Sequence, residues 1–312
     1  MLELFKKSST QIMSLKKSIK WEIRKFLIDH YPKAIINHEW PYKYGHKIDW
    51  DNPLNINEKI QWLNCCSDTR EWTRIADKFK VRDFIKERGY EELLVPLYGS
   101  WKNAEDIDFD SLPEKFVLKC NHDSGSTKII DKVAGFDKNE LIDFYNKRLK
   151  LKFGYLGCEP HYNKIPPLVI AEEFLKEENS FKSINDYKFW CCDGQIYYVS
   201  VMFDRTSESV RETVYDLDWN AHPEFLESYG KFISDFRTLP KPQKFDEMIT
   251  IAINLSKGFP FVRTDLYEVN GKIYFGEITF TPTSGRMGYN EDFLKELGDN
   301  VSLPSKKRCI RF

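Results

Sequence analysis

The sequence lacks an excess of charge of either sign. Its 312 residues carry 47 Lys+Arg against 48 Asp+Glu, a formal net charge of −1. A general nucleic-acid binder would show a strong basic excess, so nucleic acid is not an expected partner. No run approaches the ~18 consecutive apolar residues of a membrane span. The N-terminal MLELFKKSSTQIMSLKKSIKW has no signal-peptide apolar core. The seven cysteines form no framework: Cys65-Cys66 and Cys191-Cys192 are adjacent, and no CxxC occurs. Reduced thiols in a cytosolic protein fit that pattern. The GxxxxGK[ST] phosphate loop is absent, as are internal repeats and low-complexity linkers. What is present is 41% hydrophobic and 15% aromatic residues, enough for a large core and incompatible with whole-chain disorder. The length suits two lobes or one large multilayer domain.

The balanced total hides a local bias. Residues 1–25 hold seven Lys/Arg against two Glu. From Ile12, apolar residues recur at Leu15, Ile19, Ile23 and Phe26, the spacing of an amphipathic helix with a basic polar face. Two readings stand: a surface helix packed on its own domain, or docking of residues 1–28 on an anionic inner-membrane face or an assembly partner. Residues 31–70 read as aromatic and turn-rich, and 72–89 as one helix stopped by Gly89. LLVPLYG (93–99) and KFVLKC (115–120) read as strands, 137–150 as a helix, and PPLVIAEEFL (166–175) as a proline break and then a buried strand. In the second half, Asp193-Gly194 and Asn270-Gly271 mark two hairpins, and 244–258 is a helix. The expected divisions are 1–70, 71–170, 171–290 and 291–312. The order of elements predicts α+β rather than a doubly wound parallel sheet.

Charged residues are costly in an apolar hairpin unless paired or metal-bound. The hairpin FVRTDLYEVNGKIYFGEITF (261–280) holds Arg263, Asp265 and Glu277. A two-residue Asn270-Gly271 loop would set Asp265 opposite Gly276 and send Glu277 to the other face. A three-residue loop with a bulge would set Arg263 opposite Glu277, so that Arg263, Asp265, Glu277 and Thr279 share one face. That set suits either a magnesium and phosphate cradle or a salt-bridge cluster on a solvated sheet face. Lys119 ends a strand and precedes the polar turn Asn121 to Thr127, which contains Ser124, Gly125 and Ser126. A lysine beside such a turn can hold phosphates through its ammonium and backbone N–H groups.

Several segments, in order, resemble the TupA-like (teichuronopeptide-biosynthesis) branch of the ATP-grasp family: NINEKIQWL (55–63), ADKFKVRDFI (76–85), LLVPLYGSW (93–101), FVLKCNHDSGS (116–126), EEFL (172–175), DYKFWCCDGQIYYV (186–199) and VRTDLYEVNGKIYFGEITFTPTSG (262–285). The resemblance implies two α+β lobes whose antiparallel sheets grip ATP, plus a helical N-terminal segment. It implies Lys78 and Lys119 on the nucleotide phosphates, with Ser124, Gly125 and Ser126 in the covering loop. Glu172, Glu173, Phe174 and Leu175 would form the adenine hinge, Asp186 would meet the ribose, and Lys188 would point to the phosphates. Asp265 and Glu277 would ligate Mg²⁺, with Thr279 standing where the family has Asn. Arg263 would lie beside the transferred phosphoryl group, and residues 281–286 near the acceptor. The implied activity is ATP-dependent amide formation through an acyl phosphate. It would join an amino acid to a uronic-acid or similar carboxylate, on a glycan or sugar nucleotide, in bacterial surface-polysaccharide biosynthesis.

Two other readings stay open. Asp216-Leu217-Asp218 is a DxD triplet of the kind that binds a metal–sugar-nucleotide diphosphate in glycosyltransferases. Thr279 in place of Asn is the feature that favours a nucleotide-binding protein without catalysis.

Overall fold

The computed structural model describes residues 18–177, 183–206, 208–227 and 231–305. Ile12 and Leu15 of the basic helix, and the end of the 291–312 tail, lie outside them. Helix α1 (18–30) leads into α2 (Pro32–Tyr44), which starts on a proline whose missing N–H is an orphan there anyway. Helix α3 (Ile56–Cys66) begins where the Asn55 side chain accepts from the Glu58 N–H. The stretch 31–70 is therefore largely helical rather than turn-rich; its Pro and Asn mark helix starts. The single helix expected over 72–89 is two, α4 (Arg70–Ala76) and α5 (Val81–Glu87). Asp77 interrupts it: its carboxylate accepts from the Phe79 and Lys80 N–H groups and from Asn121 Nδ2, offering the backbone a turn in place of helix bonds.

Strand β1 (Leu97–Trp101) starts later than the expected Leu93, because Glu91–Leu93 form a 3-10 turn. With β2 (Lys115–Cys120), β3 (Lys128–Asp131) and β4 (Val169–Glu173) it makes an antiparallel sheet in the order β1-β4-β2-β3. Period-two alternation sends Phe116, Leu118, Cys120, Val169 and Ala171 into one core with Leu141 and Tyr145 of helix α6 (Lys138–Leu149). The same alternation leaves Val117, Lys119, Ile170 and Glu172 on the other face. A single-turn helix, α7 (Gly154–Gly157), follows.

The second sheet runs β10-β9-β5-β6-β7-β8. Its strands are β5 (Asp186–Cys192), β6 (Gln195–Phe203), β7 (Val210–Tyr215), β8 (Phe232–Ser234), β9 (Phe261–Val269) and β10 (Lys272–Thr279). Asp193-Gly194 and Asn270-Gly271 all have φ between 49° and 76°, the left-handed pair that two-residue hairpin turns require. Helix α8 (Phe245–Ser256) covers one side, with Phe245 6.1 Å from the Phe189 ring. Phe189 and Trp190, both fully buried, pack within the sheet's core. Helix α9 (Glu291–Asp299) adds Phe293, Leu294 and Leu297 to the same core. Trp72, Ile75, Val81, Phe84, Ile85, Leu93 and Leu94 also belong to it, so the chain preceding β1 packs with the six strands. No helix among the described residues is long and apolar enough to cross a membrane.

Candidate nucleotide and phosphoryl-transfer site

The side of the large sheet opposite Phe189 carries the charges. In β5 the alternation places Asp186 and Lys188 there, and β9 contributes Arg263 and Asp265. On β10 the hairpin loop has two residues, with Lys272 opposite Val269. The expected consequence, Asp265 opposite Gly276, does not follow. A bulge at Gly276 takes up one residue and sets Glu277 opposite Asp265 and Thr279 opposite Arg263. Arg263, Asp265, Glu277 and Thr279 thus share a face through a bulge, not through a longer loop.

Their contacts are dense. Arg263 donates to Asp265 through Nε and Nη2, both at 2.7 Å, and to Glu277 Oε1 at 3.0 Å. Lys188 Nζ lies 2.5 Å from Asp265 and 2.7 Å from Asp186. Thr279 Oγ1 donates to Glu277 Oε1 at 3.0 Å and accepts from Arg263 at 3.2 Å. Against the partial desolvation of a side chain still 37% exposed, Lys78, Arg263 and Lys188 hold the Glu277 carboxyl down at about 2. Burial pushes the Asp265 carboxyl up, and Arg263 and Lys188 oppose that. Arg263 stays charged, because Asp265 and Glu277 outweigh its own burial.

Asp265 has both oxygens engaged by cations, whereas Glu277 Oε2, among the described residues, meets a cation at Lys78, at 3.8 Å. Mg²⁺ takes few protein carboxylates and completes its shell with water and substrate phosphates. The donor set fits that demand, with Glu277 Oε2 as the open oxygen and Asp265 and Thr279 beside it.

The small sheet carries a second group of polar side chains. Lys119 Nζ is 2.5 Å from Glu172, which also lies 3.8 Å from Arg82. Glu173 donates its N–H to the Pro96 carbonyl at 3.0 Å. Phe174 faces Lys115, 4.7 Å from its ring centroid, and Leu175 is half-buried. The turn after β2 is built around Asp123. Its buried carboxylate accepts from Ser126 Oγ at 2.5 Å and from Arg148 Nε at 2.6 Å. Ser126 also accepts from the Cys120 N–H at 2.8 Å, so it braces the turn from within. Arg148 also donates to the Ser124 carbonyl, leaving Ser124 and left-handed Gly125 exposed at the tip. No motif links Asp123 to Arg148; only the fold brings them together.

Lys78 joins the two halves. Its Nζ donates to the Asp123 carbonyl at 2.8 Å and lies 3.8 Å from Glu277 Oε2. After Thr279 the chain turns through Thr283 and Ser284, both left-handed. The buried carboxylate of Glu159 anchors this turn, accepting from Thr281 Oγ1 at 2.5 Å and Ser284 Oγ at 2.9 Å. Gly157 is needed beside it: an added Cβ would lie 2.1 Å from Ser284 Oγ. In the DxD triplet, Asp216 is occupied by its own turn, accepting from the Asn220 N–H at 2.7 Å and Nδ2 at 2.8 Å.

The chain belongs to the TupA-like ATPgrasp family, whose model matches residues 58–302. The match spans both sheets, and the α+β architecture is the ATP-grasp fold. No curated protein matches the chain. Among solved structures, the chain is similar to D-alanine–D-alanine ligase from Bacillus anthracis, at 17% identity and a TM-score of 0.45, covering 78% of this chain and 72% of that one. A Bacillus anthracis D-alanine–D-alanine ligase complexed with ATP gives 18% and 0.41; 76% of this chain is covered, and this chain spans only 65% of that one. The Helicobacter pylori ligase gives 11% and 0.41, covering 80% and 67%. These likenesses concern the fold and assign no activity.

Proposed function

We propose that this protein is an ATP-dependent carboxylate–amine ligase that works through an acyl phosphate. The observation that carries this reading is the position of Lys78, one cation touching both the Gly125 turn and the Glu277 carboxylate. A triphosphate bound there would meet Lys78, Lys119, Lys188 and Arg263. Glu277 and Asp265, with Thr279, would hold Mg²⁺, which when bound neutralises charge on the transferring phosphoryl group. Arg263 is already oriented by its two bonds to Asp265, so little reorganisation accompanies charge development beside it.

A carboxylate does not condense with an amine at neutral pH, because oxide is a poor leaving group. In the proposed reaction a substrate carboxylate oxygen attacks the γ-phosphorus and ADP leaves. The amine nitrogen then attacks the acyl carbon, phosphate leaves, and the nitrogen's proton is released. Closure of the two sheets on the nucleotide would keep water from the acyl phosphate. We assign the substrates as an amino acid and a uronic-acid or similar carboxylate of a bacterial surface glycan, on the strength of the family resemblance. The test is an ADP-release screen of amino acids crossed with uronic-acid acceptors, with mass detection of product. The expected result is one ADP per amide, for a restricted set of pairs. Sugar transfer from a sugar nucleotide, with no ADP from any pair, would overturn the reading.

A further inference from the structure

The basic N-terminal helix is not absorbed by the site, and its packing bears on what it does. Helix α1 (18–30) is fixed along one side. Ile28 is fully buried, and the Trp21 ring meets Tyr155 edge-on at 6.3 Å. Arg24 donates to the carbonyls of Tyr155 (3.1 Å) and Leu156 (3.2 Å) and pairs with Glu39. Tyr155 in turn donates to Asp29 at 2.7 Å. These contacts set the helix's rotation, so its other side cannot roll inward.

That other side is apolar and faces solvent. Ile19, Ile23 and Phe26 are 51%, 54% and 55% exposed, at the i, i+4, i+7 spacing of one helical stripe. The stripe continues through His30, 4.7 Å from the Phe26 ring, to Tyr31, 60% exposed. Lys20 is exposed beside it. In sequence, six lysines and Arg24 against Glu3 and Glu22 give residues 1–25 a charge of +5, against −6 for the remainder. A line of large apolar side chains flanked by lysines is what binds at the headgroup boundary of an anionic bilayer, where each basic residue adds about 1 kcal/mol.

We infer that α1 is a membrane-surface anchor: Ile19, Ile23, Phe26 and Tyr31 enter the interface of an anionic bilayer, and the N-terminal lysines engage its headgroups. The test is co-sedimentation of the full chain with phosphatidylglycerol-rich and pure phosphatidylcholine vesicles, with light scattering on the protein alone. The wild type is expected to pellet with the anionic vesicles and to be released by raised salt. I23D/F26D and, separately, K16E/K17E are expected to lower the partition by at least about tenfold. Both should keep the wild-type melting temperature, since Ile23 and Phe26 are exposed and support no core. Equal binding to neutral vesicles, unchanged binding by both variants, or a wild-type dimer broken by I23D/F26D would each overturn the inference.

Discussion

Replacing Arg263 with Met separates structural from chemical roles in the charge cluster. The Arg263 side chain is 11% exposed and that of Asp265 2%. Removing the guanidinium takes two 2.7 Å bonds from Asp265 and leaves it with Lys188 alone. Breaking a buried ion pair on one side costs about 3–5 kcal/mol; the surviving Lys188 contact places this case near 3. The contact to Glu277 adds little, because that side chain is more than a third exposed. Adding Asp265→Leu removes the uncompensated charge, and Lys188 keeps Asp186 at 2.7 Å. The double variant should therefore recover to within about 1 kcal/mol of wild type. Turnover should stay at least about 100-fold down, since the double variant lacks both the charge beside the phosphoryl group and one of the carboxylates that would hold Mg²⁺. Urea unfolding with a shared m-value, read beside ADP release, checks both. A single variant that loses under about 1 kcal/mol, or a double that is no more stable than the single, refutes the argument.

Lys78→Met should weaken ATP binding by about tenfold in calorimetry, the scale of one charge-assisted hydrogen bond; unchanged affinity would remove Lys78 from the site. His161 is buried, and burial holds its pKa down at about 3. The unfolded chain takes up this proton near pH 6.5 and the folded one does not, so the stability is complete above about 6.5 and lost as pH falls toward 3. Between pH 7 and pH 5 the His161 share of the loss should be about 2 kcal/mol, and the total loss should shrink by that amount in His161→Phe, leaving the smaller share of His122, which burial shifts the same way; parallel pH profiles from urea unfolding would count against it. Asp216→Asn should leave turnover within about twofold, because Asp216 serves its own turn; loss of activity at unchanged stability would revive the sugar-nucleotide reading.

Much of the frame was legible from local chemistry. Strand β2 carries a short alternating run, and both hairpins rest on Asx-Gly pairs that adopt left-handed geometry cheaply. The grouping of Arg263 with Glu277 depended on register. Its cause, the bulge at Gly276, arises from pairing between strands and carries no marker separable from an ordinary strand glycine. The break at Asp77 was hidden because Asn121, 44 positions away, helps hold its carboxylate out of a helix. Asp123 and Arg148 meet across 25 positions. Ser126, a plausible phosphate donor by sequence, turns inward because Asp123 and the Cys120 N–H claim its hydroxyl. Spacing cannot display such long-range pairings.

In the proposed function, ATP and Mg²⁺ are held between the Gly125 turn and the Glu277 carboxylate. Calorimetric titration of wild type and Glu277→Gln with ATP in the presence of Mg²⁺, and with a UDP-sugar under the same conditions, tests it most directly. The expected result is wild-type binding of ATP only, dependent on Mg²⁺ and weakened at least about tenfold in Glu277→Gln. Binding of the UDP-sugar alone, or Mg²⁺-dependent ATP affinity unchanged in Glu277→Gln, would contradict it.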